Sequence, residues 1–229
     1  AEALRSLCDG KTAVIETMEA KKIQLSPPRL FDLTTLQREA NQIFGFTAKQ
    51  TLDYAQSLYE KQLITYPRTD SQFLTHESEG KLKKLVSALY AGLPFVSGLT
   101  PQLNPGQVIN DRKVSDHHAI IPTWKGASSY GKIPESENEL LTLIIMRTIC
   151  AIADPCLCED IAVKVVCEGH VFSAKARKTI RMGWKAAWNT FRGGFGSRGN
   201  FEDDEAVPFP DDLKEGNILP AVKASVKEG

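Results

Sequence analysis

Apolar and polar positions alternate weakly over Thr12–Met18 and again over Lys22–Leu25, with a short polar break between. Both stretches are rich in β-branched residues, so the pattern predicts a pair of strands. Ser26-Pro27-Pro28 then stops regular structure, because proline donates no hydrogen bond and pushes the residue before it out of helical backbone. The period next turns helical. Leu36, Ala40 and Ile43 share one face, Thr34 or Thr35 can cap the start, and Gly45 suits a left-handed end. Thr47 with Gln50 forms a capping box for a second helix. Its apolar stripe is Leu52, Ala55, Leu58 and Tyr59, and it runs out near Gln62. Leu63–Tyr66 reads as a short extended segment. A third helix is predicted over 76–90, with Leu82, Leu85, Val86 and Leu89 inward and Gly92 past its end. Residues 93–135, rich in proline and glycine, read as a long ordered loop. A fourth helix takes Ser136 and Glu139 as its capping box, has an apolar body from Leu140 to Ala153, and is stopped by Pro155.

Beyond Pro155 the period falls to about two. Ile161, Val163 and Val165 alternate, Glu168-Gly169 offers a turn, and alternation resumes from Val171 to Ala176, which predicts a hairpin. Arg192–Gly199 is so rich in glycine that it is expected to be mobile. The order of elements predicts an α+β protein. A β-rich domain would be made of residues 1–28 and 156–229, with a mostly helical domain, 29–155, inserted into it.

Composition narrows this picture. The chain has 229 residues, 42% of them hydrophobic, enough for one or two cores. No apolar run nears the roughly 20 residues of a membrane span, and the first residues do not pattern as a signal peptide. The five cysteines (Cys8, Cys150, Cys156, Cys158, Cys167) show neither a disulfide framework nor zinc spacing. They are expected to be reduced thiols in a cytosolic protein. A formal net charge of zero argues against nucleic acid, but the distribution is uneven. Residues 161–201 carry eight Lys and Arg against one acid, and residues 202–215 carry seven acids against one Lys. The basic stretch is either a polyanion site hidden behind a neutral total or an ordinary solvated face.

Candidate chemistry sits in Tyr66-Pro67-Arg68-Thr69-Asp70-Ser71. A phenol, with a pKa of about 10, is a poor nucleophile. A guanidinium nearby favours the phenolate and grips phosphate through paired hydrogen bonds. Pro67 fixes one backbone angle between Tyr66 and Arg68. Attack on a phosphodiester would leave a covalent phosphotyrosine, dividing breakage and rejoining into two steps. Alone, the pattern is weak, since a tyrosine after an apolar segment ordinarily packs half-buried. Ser115-Asp116-His117-His118-Ala119-Ile120-Ile121-Pro122-Thr123 is a second candidate. Its histidines could ligate metal, titrate near neutral pH, touch phosphate or simply hydrogen-bond within a loop. Metal ligation is disfavoured because no acidic cluster lies nearby in sequence.

The order of several blocks resembles type IA DNA topoisomerases. These are Leu36-Gln37, Gly45-Phe46-Thr47, Leu58-Tyr59-Glu60, Ile64 through Ser71, and His117-His118-Ala119-Ile120-Ile121-Pro122-Thr123, spread over residues 30–123. The Tyr-Pro-Arg form and the double histidine are similar to the topoisomerase III branch, and Gly183-Trp184 resembles a strand motif of the family. The resemblance implies a partial toroid, its helical, winged-helix-like tyrosine domain hung on a β-rich hinge domain. It makes Tyr66 the nucleophile that forms a 5′-phosphotyrosyl bond with one strand, Arg68 the residue that orients the scissile phosphate, and His117 the active-site histidine. Thr69, Asp70 and His118 join Arg68 and His117 as expected DNA-contacting residues.

The resemblance also implies what to look for and not find. The family's Toprim domain carries an Asp-x-Asp-x-Glu set for magnesium (Mg2+). That pattern is missing here, and the contiguous Asp203-Asp204-Glu205 does not fit it. No zinc ribbon is visible. The chain is therefore expected to be a fragment that binds no cofactor, is inactive alone, and needs DNA and the Toprim domain as partners. A cytoplasmic, nucleoid-associated setting is expected, with no membrane role. The competing reading is a non-catalytic single-stranded DNA-binding module of the same fold, which would have no use for the Tyr66–Arg68 pair. A tyrosine recombinase would carry its tyrosine near the C-terminal end. Trp124, Trp184 and Trp188 can stack on bases or pack in the core.

Overall fold

In the computed structural model, residues 1–93, 96, 102–195 and 213–226 are described. The fold is α+β, and its contacts divide it into two units. The first comprises Ala1–Leu25, Leu157–Arg181 and Asp203–Gly229, the second Ser26–Cys156 and Met182–Glu202.

The first unit holds a four-stranded sheet in the order β3-β2-β1-β4, with β1 at Ala13–Leu25, β2 at Cys156–Cys167, β3 at His170–Arg181 and β4 at Ile218–Leu219. The two expected strands of the opening stretch are one strand of 13 residues. The break at Glu19-Ala20-Lys21 lacks turn chemistry, and its polar side chains sit at exposed positions of a continuous strand. The hairpin forms where predicted. Glu168 and Gly169 take φ 48° and 76°, the left-handed pair that matches strand twist. A short helix, α1 (Glu2–Cys8), which the pattern did not suggest, delivers Cys8 beside Cys167. Each thiol points at the other residue's carbonyl, at 3.8 and 3.9 Å. All five cysteines are buried thiols outside any disulfide.

The second unit is helical: α2 (Leu33–Phe44), α3 (Ala48–Glu60), α4 (Glu79–Gly92), α5 (Trp124–Ser129), α6 (Glu135–Ala151) and α7 (Trp184–Phe195). The N-cap of α2 is Asp32, not Thr34 or Thr35; Thr35 is the reciprocal partner in an Asp–Thr capping box. Gly45 closes α2 at φ 74°. The Thr47–Gln50 box starts α3. The box expected at Ser136 is absent, because α6 begins two residues earlier, at Glu135 after the N-cap Pro134. Glu135 and Glu137 in its first turn suit the helix dipole instead. From Leu140 to Ala151 every residue of α6 is buried, and α2, α3, α4 and α7 pack on it. Within the expected loop 93–135, single 3-10 turns form at Pro105–Val108 and Asp111–Lys113, and α5 is helical. Residues 94, 95 and 97–101 lie outside the described ones.

Residues 184–195, which the boundary at residue 156 placed in the β-rich part with Gly183-Trp184 likened to a strand motif, instead form helix α7. It packs on α6 in the second unit. The Trp184 amide donates to the Asp154 carbonyl (2.9 Å), and a Cβ on Gly183 would lie 2.4 Å from the Pro155 carbonyl oxygen. Trp184 and Trp188 pack against the helical core, whereas Trp124 is 55% exposed. Gly193 and Gly194, expected to be mobile, belong to α7, and residues 196–199 lie outside the described ones.

Candidate active site

The site is made where two loops of the helical unit are laced together. After α3 the chain reverses at Gln62 (φ 63°), and the Leu63 amide donates to the Leu58 carbonyl (2.8 Å). This throws residues 63–66 out as an extended segment. Ile64 bridges Pro122 in antiparallel sense, with the Thr65 amide on the Ile121 carbonyl (3.0 Å) and the Thr123 amide on the Leu63 carbonyl (2.9 Å). Behind it α5 presses so closely that a Cβ on Gly126 would lie 2.0 Å from the Leu63 carbonyl oxygen.

Hydroxyls then fasten the segment on both sides of Tyr66. The Thr65 hydroxyl donates to the Ala119 carbonyl (3.1 Å) and accepts from the Ile121 amide (3.0 Å). The Thr69 hydroxyl donates to the His117 carbonyl (3.0 Å) and accepts from the Ser71 amide (3.1 Å). The Ser71 hydroxyl reaches the Lys113 carbonyl (2.8 Å). The 3-10 turn at Asp111–Lys113 is itself held by Asp111, whose carboxylate takes the His76 amide and imidazole, both at 2.9 Å. Those hydrogen bonds hold the Asp111 carboxyl below the usual carboxylate range.

The lacing brings Tyr66 and His117 together, with ring centroids 4.3 Å apart and planes at 45°. On another side Tyr59, from the last turn of α3, meets Tyr66 edge-on at 5.3 Å and 75°. Tyr66 is half-buried while His117, Arg68 and Asp70 are exposed. Thr69 is only 8% exposed, and its hydroxyl is committed to protein partners. His118 is half-buried, its Nδ1 donating to the Ala119 carbonyl (2.8 Å). Arg68 lies two residues along the chain from Tyr66, and no acid pairs with it among the described residues.

Sequence reasoning placed Tyr59 only on an apolar helix stripe and in a family block, and gave no individual role to Thr65 or Ser71. The signal for the last two was present: hydroxyl residues at 65, 69 and 71 flank the tyrosine, and buried hydroxyls seek backbone partners. Tyr59 carried no such signal, since its approach to Tyr66 depends on the reversal after α3. Among the described residues no three His, Cys, Asp or Glu side chains converge to hold a metal.

The family model described as DNA topoisomerase matches residues 1–229. This chain belongs to the type IA DNA topoisomerase family. Among relatives of this type IA chain, the DNA topoisomerase 3 of Bacillus licheniformis is 38% identical over 222 residues, covering 94% of this chain and 29% of the relative. The DNA topoisomerase 3 of Shouchella clausii is 36% identical over 192 residues, covering 81% of this chain and 26% of the relative. These relatives agree with the topoisomerase III branch that the motifs resemble. The full-length topoisomerase I of Thermotoga maritima shares the fold, with a TM-score of 0.69 at 23% identity, covering 96% of this chain and 35% of that one. The type IA chain thus spans less than a third of the length of these topoisomerase 3 relatives.

Proposed function

We propose that this chain supplies the nucleophile of a type IA DNA topoisomerase. The Tyr66 phenol oxygen bonds to the phosphorus of one DNA strand and gives up its proton. The bond from phosphorus to the 3′ oxygen breaks, and that oxygen leaves as a hydroxyl after taking a proton. The 5′ end stays on Tyr66 while another strand passes, and the reverse displacement reseals the break. Supercoils are thereby relaxed or linked circles separated. Arg68 would grip the scissile phosphate, with His117 beside the phenol and Asp70 and His118 at the margin of the bound strand. Thr69 contributes by holding the His117 backbone.

Magnesium in the whole enzyme would neutralise phosphate charge, held by a Toprim domain whose motif lies outside this sequence. Acting on DNA, the enzyme would work in the cytoplasm at the nucleoid.

The observation that carries this reading is the contact between the Tyr66 and His117 rings, made by residues 51 positions apart in the chain. Tyr66→Phe in the whole enzyme is expected to abolish relaxation and the covalent DNA adduct while leaving single-stranded DNA binding largely intact. Gel assays for adduct and binding separate the outcomes. Loss of both would make the tyrosine structural.

A further inference from the structure

Arg29 and Lys113 stand over the same aromatic ring. The Arg29 guanidinium carbon lies 5.1 Å and the Lys113 ammonium 4.8 Å from the Phe73 ring centroid. The two charges can therefore be no farther apart than about twice that distance. They arrive from separate places, Arg29 from the segment that leads into α2 and Lys113 from the end of the 3-10 turn whose carbonyl Ser71 holds. Both are exposed and Phe73 is half-buried.

Two of the carboxylates close to them in the chain are engaged elsewhere, and the exposed Asp116 forms no ion pair with either cation. Asp32 is taken by the Thr35 amide (2.7 Å) and by Gln72 (3.0 Å), and Asp111 by His76 (2.9 Å). No acid pairs with Arg29 or Lys113 among the described residues. Two cations held on one ring repel, and the ring face returns little to each at an exposed site. A phosphate chain that reaches both offsets that repulsion.

The pair also belongs to the laced block. The Phe73 carbonyl accepts from the Ala119 amide (2.9 Å), two residues from His117. Ser71, which holds Lys113, gives its amide to the hydroxyl of Thr69 (3.1 Å), which holds His117. Phe73 and the backbone of Lys113 thus belong to the same hydrogen-bonded frame as Tyr66.

We infer that Arg29, Lys113 and Phe73 form a subsite for the phosphodiester backbone of the strand that Tyr66 attacks. This rests on the function proposed above. Two point charges over an apolar ring carry no base-reading pattern, so the subsite grips the strand without selecting its sequence.

The test is binding of a labelled single-stranded oligonucleotide to this chain across a salt series. Each phosphate contact on a single strand contributes about 0.7 to the slope of log affinity against log salt. Arg29→Gln and Lys113→Gln are each expected to flatten that slope, and the double variant to flatten it by about 0.7 to 1.4, one or two phosphates. Lys113→Arg is expected to keep the wild-type slope. Matched circular dichroism and melting curves exclude loss of fold as the cause. A double variant with the wild-type slope, or a wild-type chain without salt-dependent binding, overturns the inference. Failure of the underlying function reads differently: the whole enzyme forms no Tyr66–DNA adduct, whatever the slopes.

Discussion

Thr69 shows how one hydroxyl can decide a site. It joins the tyrosine loop to the histidine loop by donating to the His117 carbonyl and accepting from the Ser71 amide. Thr69→Val keeps the shape and removes both bonds, leaving buried partners unsatisfied, at a cost of about 1–3 kcal/mol. In the whole enzyme, adduct formation is expected to fall further than DNA binding, with Thr69→Ser restoring both; a gel-shift assay beside an adduct assay measures the split.

Buried acids in the helical core set a second behaviour at this scale. Burial pushes the Cys150 thiol from its ordinary 9.0 up to about 12, against the pull of the Arg147 charge. Burial, with Cys150 and Asp154 nearby, raises the Tyr90 phenol in the same direction. A raised folded value means the native state holds its proton where the unfolded chain has lost it. The stabilisation is complete below about pH 9 and is lost as pH climbs toward 12. Urea unfolding at neutral and alkaline pH should show this decline, and Cys150→Ala and Tyr90→Phe should each flatten it.

Among the elements, α5 does the least by length and much by position. Its N-cap Thr123 receives the Gly126 amide (3.0 Å) and sends its own hydroxyl to the Gln62 carbonyl (2.7 Å), so the helix is seated on the tyrosine segment. Gly126→Ala would drive a methyl into the Leu63 carbonyl oxygen, 2.0 Å from the ideal Cβ. Because that neighbour is backbone, relief requires the segment to move. The expected loss is about 1–3 kcal/mol or more, with a weakened Tyr66–DNA adduct in the whole enzyme. A melting curve and an adduct assay check it.

The element pattern also shows what local sequence can reveal. Helices α2, α3, α4 and α6 were legible because each buries one face or all of itself at helical spacing. The hairpin was legible because Glu168-Gly169 supplies turn backbone between alternating strands. Caps were harder. Asp32, Thr34 and Thr35 all qualify chemically, and the choice depends on which residue turns first, with Gln72 from another loop also binding Asp32. Helix α7 was missed because the stretch between hairpin and glycines reads as a continuation of the β-rich part.

At the scale of the molecule, the helical unit is fastened by a buried charge. Arg147 of α6 pairs with Glu39 of α2, donates to the Arg29 carbonyl (3.2 Å), lies 4.3 Å over the Phe31 ring and 6.0 Å from that of Trp188 on α7. Phe31 in turn bridges Ile120, in the histidine loop. One guanidinium thus joins α2, α6 and α7 to the frame of the site. Its side chain is 11% exposed and that of Glu39 17%, so removing one partner strands a charge in a poorly solvated place. Glu39→Gln is expected to destabilise by about 3 kcal/mol or more in urea unfolding. Replacing both residues with apolar ones of similar volume should lose less.

The sequence by itself determined the helices with strong apolar faces, the hairpin, and the chemistry-bearing blocks around Tyr66 and His117, because periodicity, turn residues and motif order are local properties of the chain. Tertiary structure alone decided that the two blocks meet, that Tyr59 joins them, that Arg29 and Lys113 share the Phe73 ring, and that α7 sides with α6. Each of those depends on contacts between residues far apart in sequence, whose closeness no local pattern encodes.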